Sequence, residues 1–289
     1  NTVMTSLINI NSPLTFDDVM MGALEIYAAN NQACIVSPFI VGGAMAPVSV
    51  AGTLTQVLAE VLAGVAYSQL VRKGAPVIFG AFVTSIDMNS GAPTFGTPEA
   101  AQITYGAGQL ARRLGLPYRS AGSFNGSKLP DAQAAYETAN TLNNGLLAGV
   151  NFMLHACGWL EGGLVMSYEK FIMDLDHCGA MLKMLQGFGT DDEAFGRDAY
   201  HEAGPGENFL STGHTLRHYT TANFEPQVPE AGPYETWDEN GRLTADQRAA
   251  ARWPRMLAEY APPEMPDSTR ADLNRFAAER KAAMPDEWY

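Results

Sequence analysis

The sequence predicts an α/β fold on a parallel sheet, and more specifically a TIM-type (β/α)8 barrel of which this chain holds a part. Three observations predict it. Short apolar runs alternate with longer runs of helical periodicity. Successive strand starts fall about 30–45 residues apart, the size of a βα unit with its loop. The strand runs are almost continuously apolar, as in a sheet covered on both faces.

The elements follow in order. "TVMTSLINI" reads as a strand running into a helix near Thr15–Ala29, with Thr15 as its N-cap. "ACIVSPFIV" is a second strand and leads through a Gly-rich loop to a helix over Gly52–Lys73. "APVIFGAFVTS" is the third; the loop after it ends at Thr97-Pro98-Glu99, an N-cap with Pro at the first helical position. "PYRSAGS" precedes a helix over Pro130–Ala148, and "NFMLHACGW" precedes one over Ser167–Phe188. Thr190-x-x-Glu193 has the form of a capping box, "ENFL" of a weak sixth strand, and "HTLRHY" of a short helix. A barrel needs eight strands and five or six are legible. The chain lacks an initiator Met and begins inside a strand, so the missing strands are expected ahead of Asn1. An open doubly wound sheet also fits the alternation, but no G-x-G-x-x-G follows the first strand.

Near Gln227 the composition changes to the Pro/Gly-rich "PQVPEAGPYETWDENG", followed by two helices, one capped by Thr244-x-x-Gln247 and one starting near Asp267 or Ser268. Two parts are therefore expected, a partial barrel over 1–226 and a helical extension over 227–289. Tyr234, Trp237, Trp253 and Trp288 would dock that extension on the barrel or on a neighbouring subunit of a homo-oligomer.

A net charge of −13 opposes nucleic-acid binding, since phosphates repel an acidic surface. No apolar run reaches the roughly 18 residues of a membrane span. Three cysteines are too few for a disulfide framework and point to a reducing cytoplasm. Walker, G-x-S-x-G and H-E-x-x-H signatures are absent.

In a barrel the site lies in the loops after the strands. Those loops carry Phe39, Phe95, Phe124 and Trp159 at or just past strand ends, with Phe82 late in the third strand. A ring of aromatic faces is how a protein holds a quaternary ammonium, which has no hydrogen-bond donor. The same rings also read as ordinary packing that plugs the mouth. Polar candidates share the loops: Asn125, Ser127 and Lys128, with His155, Glu161 and Asp87 nearby. Lys128 meets a substrate carboxylate or is a surface lysine. His214 and His218, at i and i+4, reach a site together, bind a metal, or are one buried and one solvated His. "HACG" puts His155 and Cys157 on one face if it is a strand, and Cys178 would complete a zinc–thiolate set. Against this, Cys178 sits among core-type residues of a helix.

The motifs "NSPLT", "PFIVGGAMAPVSVAG", "DMNSGAPTFGTPE", "SKLPDAQAAYE", "GWLEGGLVMSYEKF" and "HTLRHYTTANFEP", in this order, resemble the trimethylamine methyltransferase family of corrinoid-dependent enzymes, and the tail "YETWDENGRLTADQRAAARWPRMLAEYAPPEM" is similar to that family's C-terminal segment. The resemblance implies a TIM-type barrel, a longer N-terminus, and methyl transfer from a methylated amine to the cobalt of a separate corrinoid protein. The cobalamin-type cofactor would be carried by that partner and not held tightly by this chain. Some members carry pyrrolysine in the loop matching Ser123–Ser127, where only standard residues stand here. That places the chain with the non-pyrrolysine branch, which resembles enzymes acting on glycine betaine and related quaternary amines. A quaternary nitrogen leaves as a neutral amine, so no acid–base pair is required. Phe124 would offer a face, and Asn125, Ser127 and Lys128 handles for a carboxylate. Two alternatives stand beside this expectation: zinc-dependent methyl transfer through His155, Cys157 and Cys178, and a non-catalytic barrel that binds betaine-like osmolytes.

Overall fold

The computed structural model describes residues 1–120 and 122–285. Strand β1 (Thr5–Ile10) and helix α1 (Asp18–Ala29) are followed by β2 (Ala33–Gly42) and α2 (Val50–Val71). The third strand run is broken at Ala81 into β3 (Val77–Gly80) and β4 (Phe82–Ile86); β5 (Pro93–Thr94) folds back before α3 (Pro98–Arg113). Then come β6 (Tyr118–Ser120), α4 (Ala132–Leu147), β7 (Phe152–Met153), the hairpin of β8 (Trp159–Leu160) and β9 (Val165–Met166), and α5 (Tyr168–Leu185). Five further helices follow among the described residues: α6 (Arg197–Glu202), α7 (Gly213–His218), α8 (Tyr234–Glu239), α9 (Ala245–Glu259) and α10 (Asp267–Ala283).

The result is a mixed α/β fold on a parallel sheet. β1 pairs with β2, β2 with both β3 and β4, β3 with β6, and β6 with β7, all parallel; β5 is antiparallel on β4. Each new βα unit therefore adds its strand beside the previous one, with no reversal among the described strands. The helices keep the same order, α1 on α2, α2 on α3, α3 on α4 and α4 on α5. The described strands do not close into a barrel.

The core lies between this sheet and the helices, built from Ile8, Leu24, Val36, Ile40, Val57, Val61, Phe79 and Tyr118. Strand alternation separates it from the other face: Ile8 enters the core while its neighbours Leu7 and Asn9 line a cleft. Helix α2 is long and apolar enough to cross a membrane by length and composition alone. Here it packs on β2, α1 and α3, and its buried Glu60 fastens the β1–α1 loop. Ser12 Oγ, the Leu14 amide and Gln56 Nε2 all donate to that carboxylate, at 2.7, 2.8 and 2.9 Å.

Several local expectations need correction. Asp17, not Thr15, caps α1, its Oδ1 accepting from the Met20 amide at 2.6 Å. Ser49 and Asp131 set the true starts of α2 and α4. The Thr190 capping box is not made, because Glu193 turns to Arg217 and His218 and the next helix starts only at Arg197. "ENFL" is no strand; Asn208 Oδ1 accepts from the Leu210 amide at 3.1 Å and bends the backbone away from a ladder. The run "NFMLHACGW" is not continuous either. His155 at φ 60° and Gly158 at φ 90° divide it into β7 and β8, which belong to different sheets. The strand read over "PYRSAGS" spans Tyr118–Ser120, and Ala121 lies outside the described residues.

Two compact units divide between Trp253 and Pro254. Within the first, Trp253 stacks on Tyr168 at 4.6 Å and donates to Glu169 Oε1 at 3.1 Å, beside a small second core of Ile172, Val228 and Ala249. Helix α8 arises inside the segment read as a linker, where Trp237 Nε1 donates to the Leu243 carbonyl at 3.1 Å. The Thr244 amide donates to Gln247 Oε1 at 2.9 Å, the cap the motif predicts for α9. Trp288 lies outside the described residues.

One buried ion pair positions the end of the sheet. Lys170 on α5 is fully buried, pairs with Asp174 one turn on, and donates to Thr138 Oγ1 on α4 at 2.8 Å. Asp174 Oδ2 accepts from the Gly158 amide at 2.8 Å, pinning the backbone just before Trp159. Burial pulls the Lys170 pKa down and pushes the Asp174 pKa up, in spite of their mutual attraction. Desolvation outweighs the pairing, so the pair specifies geometry more than it adds stability. Lys170→Met, which strands the carboxylate, is expected to destabilise the fold by about 3–5 kcal/mol, and Lys170→Met with Asp174→Leu to recover most of that loss in urea denaturation.

Candidate functional site

The loop after β6 and the segment after β7 are joined edge to edge. The Ser123 amide donates to the His155 carbonyl at 2.9 Å, the Glu161 amide to Ser127 O at 2.8 Å, and the Gly162 amide to Asn125 O at 2.7 Å. Asn125 is fully buried; its Nδ2 donates to the Trp159 carbonyl at 2.6 Å and its Oδ1 accepts from the Ser127 amide at 3.1 Å. Ser127 Oγ donates to Asp131, the cap of α4, at 2.8 Å. Glu137 on α4 accepts from the Gly126 amide at 2.6 Å. Asn125 and Ser127 are thus spent on holding the two loops together. Lys128 is exposed and donates to the Gly126 carbonyl at 2.8 Å, away from the cleft.

What these bonds hold in place is a continuous group of rings. Phe39 and Phe82 are direct partners in the β2–β4 register and stack at 5.3 Å and 18°. Phe82 tilts against Phe124 at 4.7 Å. Phe124 lies between Phe95 and Trp159, stacked at 5.5 Å on the first and 5.4 Å on the second, with the His155 ring edge-on at 5.2 Å. Phe39, Phe82, Phe124, His155 and Trp159 line an open cleft of about 740 Å³ beside β1 residues Asn9 and Ile10. Phe95 stands behind it, buried. With Phe124 buried in its stacks, the accessible aromatic surface belongs to Phe39, 38% exposed, and to the half-buried Phe82 and Trp159.

The cleft also holds a residue that the motifs did not single out, Arg119 of β6. Its neighbour Tyr118 points to the helices, where its hydroxyl donates to the Thr104 carbonyl at 3.3 Å, so alternation sends Arg119 to the opposite face. Gly80 is its register partner on β3, and a Cβ there would lie 2.5 Å from Ser37 Cβ. That bare backbone lets the guanidinium reach β2, where Nη1 donates to Ser37 Oγ at 3.0 Å. Nη2 lies 3.1 Å from His155 Nδ1. Arginine is always a donor, so Nδ1 accepts and a neutral His155 carries its proton on Nε2. Burial first, and then the charge of Arg119, pull the His155 pKa down to about 4. The signal was legible in "PYRSAGS": a lone charge inside an otherwise buried strand calls for a partner.

Glu161, at φ 50°, serves the loop junction through its amide and is not among the residues lining the cleft. Asp87 caps its own turn, accepting from the amides of Asn89 and Ser90 at 2.9 and 2.7 Å. His214 and His218 also lie outside the cleft and converge on Glu193, at 3.7 and 2.7 Å. Arg217 donates to the same oxygen, and the His218 and Arg217 hydrogen bonds bring the Glu193 pKa down to about 2. Glu193, His214 and His218 form the metal-capable cluster among the described residues, and none of His155, Cys157 and Cys178 belongs to it. The geometry departs from the zinc–thiolate alternative in two respects. The positive φ at His155 breaks the strand face it assumed, and Arg119 takes the Nδ1 lone pair.

Two measurements check this description. Gly163, at φ 93°, would bring a Cβ within 2.5 Å of Phe124 Cε1, so Gly163→Ala is expected to destabilise the chain by about 1–3 kcal/mol and alter its near-UV circular dichroism. His155, at about 4, sits below its ordinary 6.5, so the unfolded chain takes up this proton first on acidification. Stability is then expected to fall as pH drops through that window and to be flatter in His155→Gln, read from thermal melts at stepped pH.

The trimethylamine methyltransferase (MTTB) family matches residues 1–285. The chain is 41% identical over 285 residues to the glycine betaine methyltransferase of Desulfitobacterium hafniense strain Y51, covering 99% of this chain and 59% of that one. It is 33% identical over 237 residues to the trimethylamine methyltransferase MttB of Desulfitobacterium hafniense strain DSM 10664 / DCB-2, covering 82% and 47%. It is 31% identical over 279 residues to the proline betaine:corrinoid methyltransferase of Eubacterium limosum, covering 93% and 56%. The chain spans about half the length of these curated relatives. On the match over residues 1–285 and the 41% identity, the chain belongs to the trimethylamine methyltransferase family.

Proposed function

We propose that the protein transfers a methyl group from a quaternary or tertiary methylamine of the betaine type to the Co(I) of a separate corrinoid protein. The observation that carries this is the ring cluster of Phe39, Phe82, Phe124 and Trp159 around one open cleft. It stands in a chain 41% identical to a glycine betaine methyltransferase. Rings attract a dehydrated ammonium through their negative faces without hydrogen bonds.

The residues present fit delivery to an external acceptor. The cleft is open, Phe39 at its wall is solvent-accessible, and Gly162 and Gly163 keep part of the lining low. The corrinoid of the partner supplies the nucleophile, and this chain supplies position. Phe39 and Trp159 hold the ammonium in place of water, Phe124 keeps Trp159 in its plane, and Asn125 ties the Trp159 backbone to the neighbouring loop. For a quaternary substrate the nitrogen leaves as a neutral amine, so His155, kept neutral by burial and by Arg119, is not called on to transfer a proton.

The finer architecture belongs to the same proposal. Strands added one beside the next, with helices in matching order, support an arc of a TIM-type barrel with the cleft at the C-terminal ends of its strands. The proposed division is a catalytic part over 1–226 and a helical extension over 227–289 that offers a surface to a neighbouring subunit. Three free thiols support a cytoplasmic setting.

The test is methyl transfer by the full-length protein, with reduced corrinoid protein and a panel of methylated amines, followed by the cobalt spectrum. Turnover with a betaine is expected, with KM raised about 10- to 30-fold in Trp159→Ala or Phe39→Ala. No spectral change with any methylated amine sinks the proposal.

A further inference from the structure

Arg119 is 1% exposed, and among the described residues no carboxylate lies in ion-pair contact with it. Ser37 Oγ and His155 Nδ1, both neutral acceptors, take Nη1 and Nη2. Its Nε is buried without a partner. The guanidinium lies 5.8 Å from the centre of the Phe82 ring, in the same lining as Phe39 and Trp159. Asp17, a carboxylate of that lining, is taken up by the N-terminus of α1.

A desolvated charge needs a counter-charge, and the protein offers Arg119 only dipoles and a ring face. The planar fork of a guanidinium matches a carboxylate in shape and in donors. An Arg facing the cleft would also repel a bare quaternary ammonium. A zwitterion removes both difficulties, because its carboxylate neutralises the arginine while its nitrogen rests on the rings. In glycine betaine a single methylene separates the two groups, and Arg119 shares the cleft lining with Phe39 and Trp159, its guanidinium beside the Phe82 ring on which Phe39 stacks.

We propose that Arg119 anchors the carboxylate of a betaine-type substrate and selects against methylated amines that lack one. This rests on the cleft being the quaternary-ammonium site proposed above. It assigns to Arg119 the part that the motifs offered to Lys128 and Asn125, which the structure employs elsewhere.

Calorimetric binding of three probes to the full-length protein tests it: glycine betaine, choline (the cation without a carboxylate), and 3,3-dimethylbutyrate (the carboxylate without a cation). Wild type is expected to bind glycine betaine about 30-fold or more tightly than choline, the factor for a desolvated charged pair. In Arg119→Met the two should come within about threefold of each other, with choline unchanged or tighter. Arg119→Lys keeps the charge and loses the fork, so it should retain an intermediate preference. A purely structural role would weaken all probes alike. Equal affinity of wild type for glycine betaine and choline overturns the anchor and leaves the ring–cation site standing, as does an undiminished preference in Arg119→Met. Binding of 3,3-dimethylbutyrate as tightly as glycine betaine keeps the anchor and removes the ring–cation site. Failure of all three to bind overturns both. If Arg119→Met does not fold by circular dichroism, wild type and Arg119→Lys decide between these outcomes.

Discussion

The site depends on the hydrogen-bonded seam between the loop after β6 and the segment after β7. The described residues of the loop after β6 have no regular secondary structure, and the segment after β7 has only the two-residue strand β8 and one short 3-10 turn to hold its ring. Amides of Ser123, Glu161 and Gly162 cross between the two, and the Asn125 side chain closes on the Trp159 carbonyl. Each end of the seam is tied to a helix, through Glu137 and Asp131 on the α4 side and Asp174 on the α5 side. The stacking of Phe95, Phe124 and Trp159 follows from that framework. Polar residues that look like ligand contacts in a loop are here the backbone's own partners, because a buried loop must satisfy its amides and carbonyls from side chains.

The charge in the cleft is arranged with few titratable groups. Arg119 is buried among rings and neutral acceptors, and its presence together with burial keeps His155 neutral. Such a surface is suited to binding and orienting rather than to moving protons. The proposed reaction asks for that: the leaving amine is already neutral, and the chain has to strip water from the ammonium and aim one methyl outward.

The sheet brings these parts together by its register. Phe39 and Phe82 stack because they are opposite one another on β2 and β4, and Arg119 reaches Ser37 because glycine fills the position between them. The break at Ala81 lets one strand run pair with β2 at both ends of its length while β3 also carries β6. The Lys170–Asp174 pair does similar work from the helix side, fixing Gly158 and so the start of β8.

The alternation of strands and helices, the cap at Thr97, the Thr244–Gln247 contact and the aromatic loops are all legible in the sequence, since each is set by neighbours within a few residues or by a simple period. The resemblance in the loops is legible for the same reason. Where long-range partners compete, local signals lose. Thr190 looks like a cap, but Glu193 pairs better with Arg217 and His218, and "NFMLHACGW" looks like one strand until the seam bends His155 to positive φ. Only the tertiary structure decided that Asn125 and Ser127 face the backbone, that His214 lies away from the cleft, and that Arg119 lies buried within it with no carboxylate partner among the described residues. The reason is physical: whether a polar side chain is a handle or a brace depends on which groups desolvation leaves beside it, and those come from distant parts of the chain.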